Sequence, residues 1–180
     1  MLKKIILSGA ILLSTALSTT ASLADSETST NLTGIYVGGS AGLVVNTDGR
    51  DGNFRGLPMT VSVGFGGMTN PNVYLAGEIF GTLLTPSINA AGSVKTTYGY
   101  GISFIPGFTI SESTMTFLRL GLIKTRFDRM HSVKTGGQFG LGLQTNLSET
   151  LAVRGEYDYA HYTGSLTSDQ FNFGLIYKFM

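Results

Sequence analysis

The 180 residues contain no cysteine and no tryptophan, only four prolines, and Asp, Glu, Lys and Arg amount to 13% of the chain. Without cysteine there is no disulfide scaffold, no zinc-thiolate site and no lipid-anchored precursor, which needs a cysteine at its cleavage site. The shortage of charge excludes more. A soluble domain carries about 25% charged residues, so too few are present here to cover a water-facing surface. Long apolar runs are also missing. The longest, Ile5 to Leu17, falls short of the roughly 18 residues that a membrane-spanning helix requires.

That run follows Met1-Leu2-Lys3-Lys4 and precedes a small-residue boundary, Ser22-Leu23-Ala24, with polar Asp25-Ser26-Glu27 beyond it. The pattern is a secretory signal peptide over residues 1–24, cleaved between Ala24 and Asp25. Cleavage removes Lys3 and Lys4, and residues 25–180 then hold 10 Lys and Arg against 11 Asp and Glu, a net charge of −1 that suits no nucleic-acid partner. Residues 25–33 read as a flexible N-terminal segment on the periplasmic side, and residues 34–180 as one domain.

From Gly34 onward, eight segments rich in Val, Ile, Leu, Phe, Tyr, Thr and Gly alternate with turn chemistry, at about 34–46, 57–69, 73–84, 96–110, 116–128, 136–147, 151–162 and 169–180. Their connections alternate as well. Asn70-Pro71-Asn72, Ser111 to Met115 and Ser148-Glu149-Thr150 are tight, whereas 47–56, 85–95, 129–135 and 163–168 are longer and polar. Tight turns on one side and longer loops on the other characterise a transmembrane β-barrel. Parity within each segment agrees. Leu151, Val153, Tyr157 and Tyr159 share one face while Ala152, Arg154, Glu156 and Asp158 share the other, and Phe171, Phe173, Leu175, Tyr177 and Phe179 alternate with Gln170, Asn172, Gly174 and Lys178. The expected fold is all-β, a closed eight-stranded antiparallel up-and-down barrel that faces its apolar side to lipid. A soluble barrel of the lipocalin kind would have to house Tyr98, Tyr100, Phe104, Phe139, Tyr157, Tyr159, Phe171, Phe173, Tyr177 and Phe179 inside. An eight-stranded interior has room for side chains but not for that aromatic load.

Two features depart from the pattern: Pro106-Gly107 is expected to bulge or stop the fourth segment, and Lys124 and Arg126 share the lipid-facing parity of Leu118, Leu120 and Leu122 toward the long-loop end, where a cation costs little and meets anionic headgroups. The inward parity collects Glu78, Arg119, Arg154, Glu156, Asp158 and Lys178 among small polar residues. Three acids and three bases away from water must pair, so a lumenal salt-bridge network that fills the barrel is expected, rather than a conduit.

Gly34-Ile35-Tyr36-Val37-Gly38-Gly39, Ala76-Gly77-Glu78, Arg119-Leu120-Gly121-Leu122, Glu156-Tyr157-Asp158-Tyr159 and Tyr177-Lys178-Phe179 together resemble the small outer-membrane barrels of the OmpA, OmpX and Opa type, the porin family of outer-membrane β-barrel domains, across 34–180. The resemblance implies an integral bacterial outer-membrane protein, escorted by periplasmic chaperones, inserted by the barrel-assembly machinery and surrounded by outer-membrane lipid and lipopolysaccharide. It implies an insertion signal in the last strand, Phe173, Leu175, Tyr177 and Phe179, which here is followed by Met180. A structural, envelope-integrity role with surface loops that bind host or environmental ligands is the first functional expectation; a small transport channel is the alternative and a lipid A-modifying enzyme the third. A monomer is expected, without catalytic, metal or cofactor sites. His161-Tyr162-Thr163 with Ser165 nearby resembles a deacylase motif only loosely, since Glu156 lies on the opposite strand face. His131 has no second ligand type beside it. Asp48-Gly49-Arg50-Asp51-Gly52-Asn53 lacks EF-hand spacing and reads as a flexible Asp-Gly loop.

Overall fold

A computed structural model of the chain describes residues 34–48, 52–88, 95–128 and 133–179. Ala24, Asp25, the 25–33 segment, His131 and Met180 lie outside the described residues. The strands are β1 (Gly34–Asp48), β2 (Gly52–Gly56), β3 (Met59–Asn70), β4 (Val73–Leu84), β5 (Thr96–Thr109), β6 (Thr114–Phe127), β7 (Val133–Asn146), β8 (Leu151–Tyr162) and β9 (Leu166–Lys178). Neighbours pair antiparallel in chain order from β3 to β9, and β1 closes the sheet by pairing with both β3 and β9. The result is a closed barrel of eight staves. β2 is not a ninth: it pairs with the far end of β1, from Val44↔Gly56 to Asp48↔Gly52, above the stretch where β3 pairs with Gly34–Ala41. Leu57 and Pro58 carry the chain from β2 into β3, with the Gly42 amide donating to the Pro58 carbonyl at 3.1 Å.

The long polar connection expected over 47–56 is thus shortened, since its arms pair in a β-hairpin that raises one wall of the barrel, while residues 49–51 of the Asp-Gly loop expected at Asp48 to Asn53 lie outside the described residues. The hairpin's free edge is covered too, because the Ile88 amide donates to the Arg55 carbonyl and the Leu57 amide to the Pro86 carbonyl, both at 2.9 Å. The expected loops 129–135 and 163–168 are likewise shortened: β7 starts at Val133 and β9 at Leu166. Backbone pairing does not need apolar side chains once the strands leave the bilayer, so the ladders outrun the hydrophobic pattern.

β5 neither stops nor bulges at Pro106, contrary to the sequence expectation. Pairing with β4 continues through Leu75↔Pro106, whereas the ladder to β6 skips Ile105 and Pro106 between Phe104↔Leu120 and Gly107↔Phe117 without a change of register. The proline nitrogen, which has no hydrogen to give, thus costs one rung on one side only.

Burial is inverted relative to a soluble protein. Phe65 and Ile79 on the outer face are 64% and 66% exposed, while Glu78 and Arg119 on the inner face are each 3% exposed. The tight turns and both ends of the barrel wall gather at one rim, the periplasmic one by the usual asymmetry of these barrels. No described helix is long and apolar enough to cross a membrane; the strands do so.

Candidate functional site: the charged lumen and the outer rim

Inward parity on β4, β6 and β8 brings Glu78, Arg119, Arg154, Glu156 and Asp158 to one level of the barrel. Glu78 is shared. Its Oε1 is 2.8 Å from Arg119 Nη1 and its Oε2 is 2.7 Å from Arg154 Nη1. Arg119 Nη2 reaches Glu156 Oε2 at 2.9 Å, and Arg119 Nη1 also donates to Ser103 Oγ at 3.2 Å. Arg154 donates from Nε and Nη2 to Gln144 Oε1, at 3.1 and 2.9 Å, and the Tyr36 hydroxyl donates to Glu78 Oε2 at 2.9 Å. Asp158 is held at its Oδ2 by Asn172 Nδ2 at 3.1 Å. Each guanidinium is thus forked between acceptors from different strands, the arrangement in which arginine outperforms lysine.

Lys178 does not join this cluster, although the sequence expectation placed it there. Its ammonium donates to Asn146 Oδ1 at 2.6 Å, near the periplasmic rim. The reason is distance along the strand: Gly174, the β9 partner of Arg154 at the near end of the cluster, is four residues from Lys178, about 13 Å at 3.3 Å per residue, so Lys178 shares a small cavity with Arg154, Tyr36 and Gln144 without reaching an acid of the cluster.

The surroundings of the cluster also differ from the small polar lining expected. Below it, toward the tight turns, Tyr36, Tyr74, Ile105, Met115, Phe117 and Ile176 form a buried apolar layer. Above it, Phe80, Ile123, Phe127, Tyr162 and Leu166 form another, in which the Phe127 and Tyr162 rings meet edge to face at 5.2 Å. The layers touch the charges. The Arg154 guanidinium lies 5.0 Å from the Phe117 ring centre and 5.5 Å from that of Tyr36, and Arg119 lies 5.5 Å from that of Phe80, within cation–π range. Glycines on the facing strands make the room: a Cβ on Gly142 would stand 2.3 Å from the Phe117 ring, and one on Gly64 2.2 Å from that of Tyr36. A signal for these inner aromatics was present, since Phe117 is two residues before Arg119 and Phe80 two after Glu78, and so shares their inward parity.

On the outer face, Phe173, Leu175 and Tyr177 of β9 and Phe179 just beyond it point to lipid, and Tyr177 and Phe179 stack edge to face at 5.1 Å. Lys124 and Arg126 point outward beyond Leu122 and pair across the ladder with Tyr100 and Tyr98. Tyr157 donates to the Asp169 carboxylate on the same face. His161 is exposed on this outer side, two residues beyond Tyr159, while Glu156 is buried within the lumen; the structure does not bring them together. Among the described residues no group of His, Cys, Asp and Glu has a metal-holding arrangement.

A closed up-and-down barrel, apolar outside and filled by paired charges between two aromatic layers, defines a small integral outer-membrane barrel. Residues 10–179 match the model of the outer membrane protein beta-barrel domain family, and the chain belongs to that family. It is an integral protein of the bacterial outer membrane. Among solved structures it is similar to the Neisserial surface protein A, NspA, at 18% identity and a TM-score of 0.61 over 81% of this chain and 97% of that one. It is also similar to Ail, the attachment invasion locus protein of Yersinia pestis, at 17% identity and a TM-score of 0.55 over 82% and 100% of the two chains. At such identities the likeness concerns the fold. No curated protein sequence matches the chain at a significant level.

Proposed function

We propose that this protein is a non-enzymatic envelope barrel that works through its outer rim and loops rather than through its lumen. The observation that carries this reading is the closed interior. Five buried charged side chains and two aromatic layers occupy the level where a channel would run, and cavities in the lumen among the described residues include ones of about 40, 10 and 20 Å³, room for one or a few waters each. A hydrated ion needs a continuous path that these side chains interrupt.

The rim supports the outward half of the proposal. Lys124 and Arg126, next to Tyr98 and Tyr100, stand where the phosphates of lipopolysaccharide meet the barrel, and a cation there is worth about 1 kcal/mol toward an anionic surface. Host or environmental ligands would meet the raised wall formed by β1 and β2 and the loops above it. A surface-binding role is in keeping with the fold neighbours, one named for attachment and invasion and solved also with a heparin analogue, sucrose octasulfate. His161, outward at headgroup level and apart from Glu156, serves here as a rim residue and not as a base. Assembly by periplasmic chaperones and the barrel-assembly machinery into a monomer completes the proposal.

Planar-bilayer recording on purified, refolded protein tests it. The expected record is silent; steady, reproducible unitary openings would overturn the closed-lumen reading in favour of a small channel. Lipid A of unchanged mass on overexpression, equally with wild type and with His161→Ala, is expected, and a His161-dependent change of mass would establish the enzyme instead.

A further inference from the structure

The outer face differs from one side of the barrel to the other. At the loop end of β6 its outward positions are Lys124 and Arg126, and from β3 to β9 these are the only outward-facing cations among the described residues. Neither is paired with an acid among the described residues, since the salt bridges there belong to the lumenal arginines. Across the barrel the same end is apolar. Leu83 and Leu84 of β4 are 58% and 59% exposed, and Leu57, which leads into β3, is 44% exposed. An annulus of headgroups meets every strand alike, so charge gathered on one side points to a discrete partner.

The neighbouring strands shape the place where that partner would sit. Tyr100 and Tyr98, the β5 partners of Lys124 and Arg126, are exposed aromatics with a polar tip, the kind of residue that marks the boundary between acyl chains and headgroups. On the other flank, Leu122, Gly137 and His161 lie on one rung across β6, β7 and β8. A Cβ on Gly137 would meet nothing within 4 Å. The backbone of Gly137 therefore floors a notch between Leu122 and His161, whose strands are about 10 Å apart over two spacings. Lys124 pairs with Thr135, two residues above Gly137 on the same face, so its side chain starts at the upper edge of the notch. A bare notch on the lipid side, topped by two unpaired cations, suits an amphiphile with an acyl chain below and phosphate above. Resting on the reading of the outer rim as the working surface, we propose that the β5–β7 face seats one lipopolysaccharide molecule, with an acyl chain of lipid A over Gly137 and its phosphorylated disaccharide held by Lys124, Arg126 and His161. Lys124 and Arg126 stand about 7 Å apart along β6. A headgroup with more than one phosphate on a rigid disaccharide can engage both, whereas the single phosphate of a phosphatidylglycerol engages one well.

Native mass spectrometry of the full chain, refolded in detergent and titrated with bisphosphorylated lipid A, tests the proposal. One lipid A retained per barrel is expected for the wild type. Each cation removed is expected to weaken retention about fivefold, so Lys124→Gln combined with Arg126→Gln loses about 25-fold. Gly137→Leu, which fills the notch and changes no charge, is expected to weaken it as well, and Leu84→Gln on the opposite side to leave it unchanged. Heat-dependent gel mobility shows that each variant is folded. Three results would each overturn the proposal: dephosphorylated lipid A retained as well as the bisphosphorylated form, as acyl contact alone; phosphatidylglycerol competing at equal concentration, as a general anionic surface; and retention by the double variant equal to that of the wild type, as annular lipid. Planar-bilayer recording separates this outcome from that of the closed lumen. A silent barrel that retains no lipid A removes the seat alone, and a conducting barrel that retains it removes the closed lumen alone.

Discussion

Arg119 and Leu120 are adjacent on β6, yet they face different solvents. Arg119 is buried among Glu78, Glu156 and Ser103, and Leu120 is 44% exposed on the face turned to acyl chains. Inside, every side chain meets fixed neighbours, so identity and shape both matter. Outside, the neighbours are fluid, so only polarity and depth matter. The same contrast recurs at Phe117 and Phe104, two phenylalanines on adjacent strands: Phe117 is 1% exposed beneath Arg154 and Phe104 is 49% exposed to lipid. A barrel of this kind is two proteins in one chain, read at odd and even positions.

The largest effect is expected from opening the seam on which that division depends. Truncation after Gly174 removes Leu175, Tyr177 and Phe179 together with the β9 partners of Tyr36 to Gly39 on β1. With two edges left unpaired in lipid, no folded species is expected, as read by the loss of heat-dependent gel mobility and of surface protease protection. A folded, surface-exposed truncated chain would show that Phe173 alone suffices as insertion signal.

Next come the neighbours themselves. Arg119→Leu leaves three buried carboxylates to Arg154, and a loss of about 3–5 kcal/mol is expected from stranding them. Leu120→Arg places a charge near the middle of the apolar band, with an expected loss of about 2–4 kcal/mol. Urea unfolding in lipid vesicles measures both. If Leu120→Arg proved harmless while Arg119→Leu did not, the outer face at that depth would be contacting something other than lipid.

How much of this was legible in the sequence follows from the same contrast. Alternation against lipid is a strong signal, and it placed β4 at 73–84 and β8 at 151–162, the bounds the structure gives. It also placed Glu78, Arg119, Arg154, Glu156 and Asp158 inside. It failed where lipid stops dictating composition: the hairpin of β1 and β2 reads as an Asp-Gly loop because its tip, Asp48 to Asn53, is polar and glycine-rich, although Val44 and Phe54 in its arms are buried. The aromatic layers were missed for a different reason. Hydrophobicity assigns Phe117, Phe80 and Tyr36 to lipid, whereas their parity assigns them to the lumen, and only the facing glycines Gly142, Gly101 and Gly64 reveal that the lumen had been hollowed to receive them. The isolation of Lys178 is a matter of height along the barrel, which parity does not encode.

The finest test of the comparison is the pair of phenylalanines. Phe117→Ala removes a ring from a packed layer, so the lost transfer energy is joined by a cavity and by the lost contact with Arg154, about 3–5 kcal/mol in all. Phe104→Ala loses the transfer energy alone, about 1.5–3 kcal/mol, because acyl chains flow into the space and leave no cavity. The difference between the two variants, read from unfolding midpoints at unchanged slope, isolates the cavity contribution. Equal losses would mean that the lumen repacks as freely as lipid does. In that event Gly142→Ala, whose methyl would press on the Phe117 ring at 2.3 Å, should also be tolerated instead of costing the roughly 1–3 kcal/mol expected of overpacking.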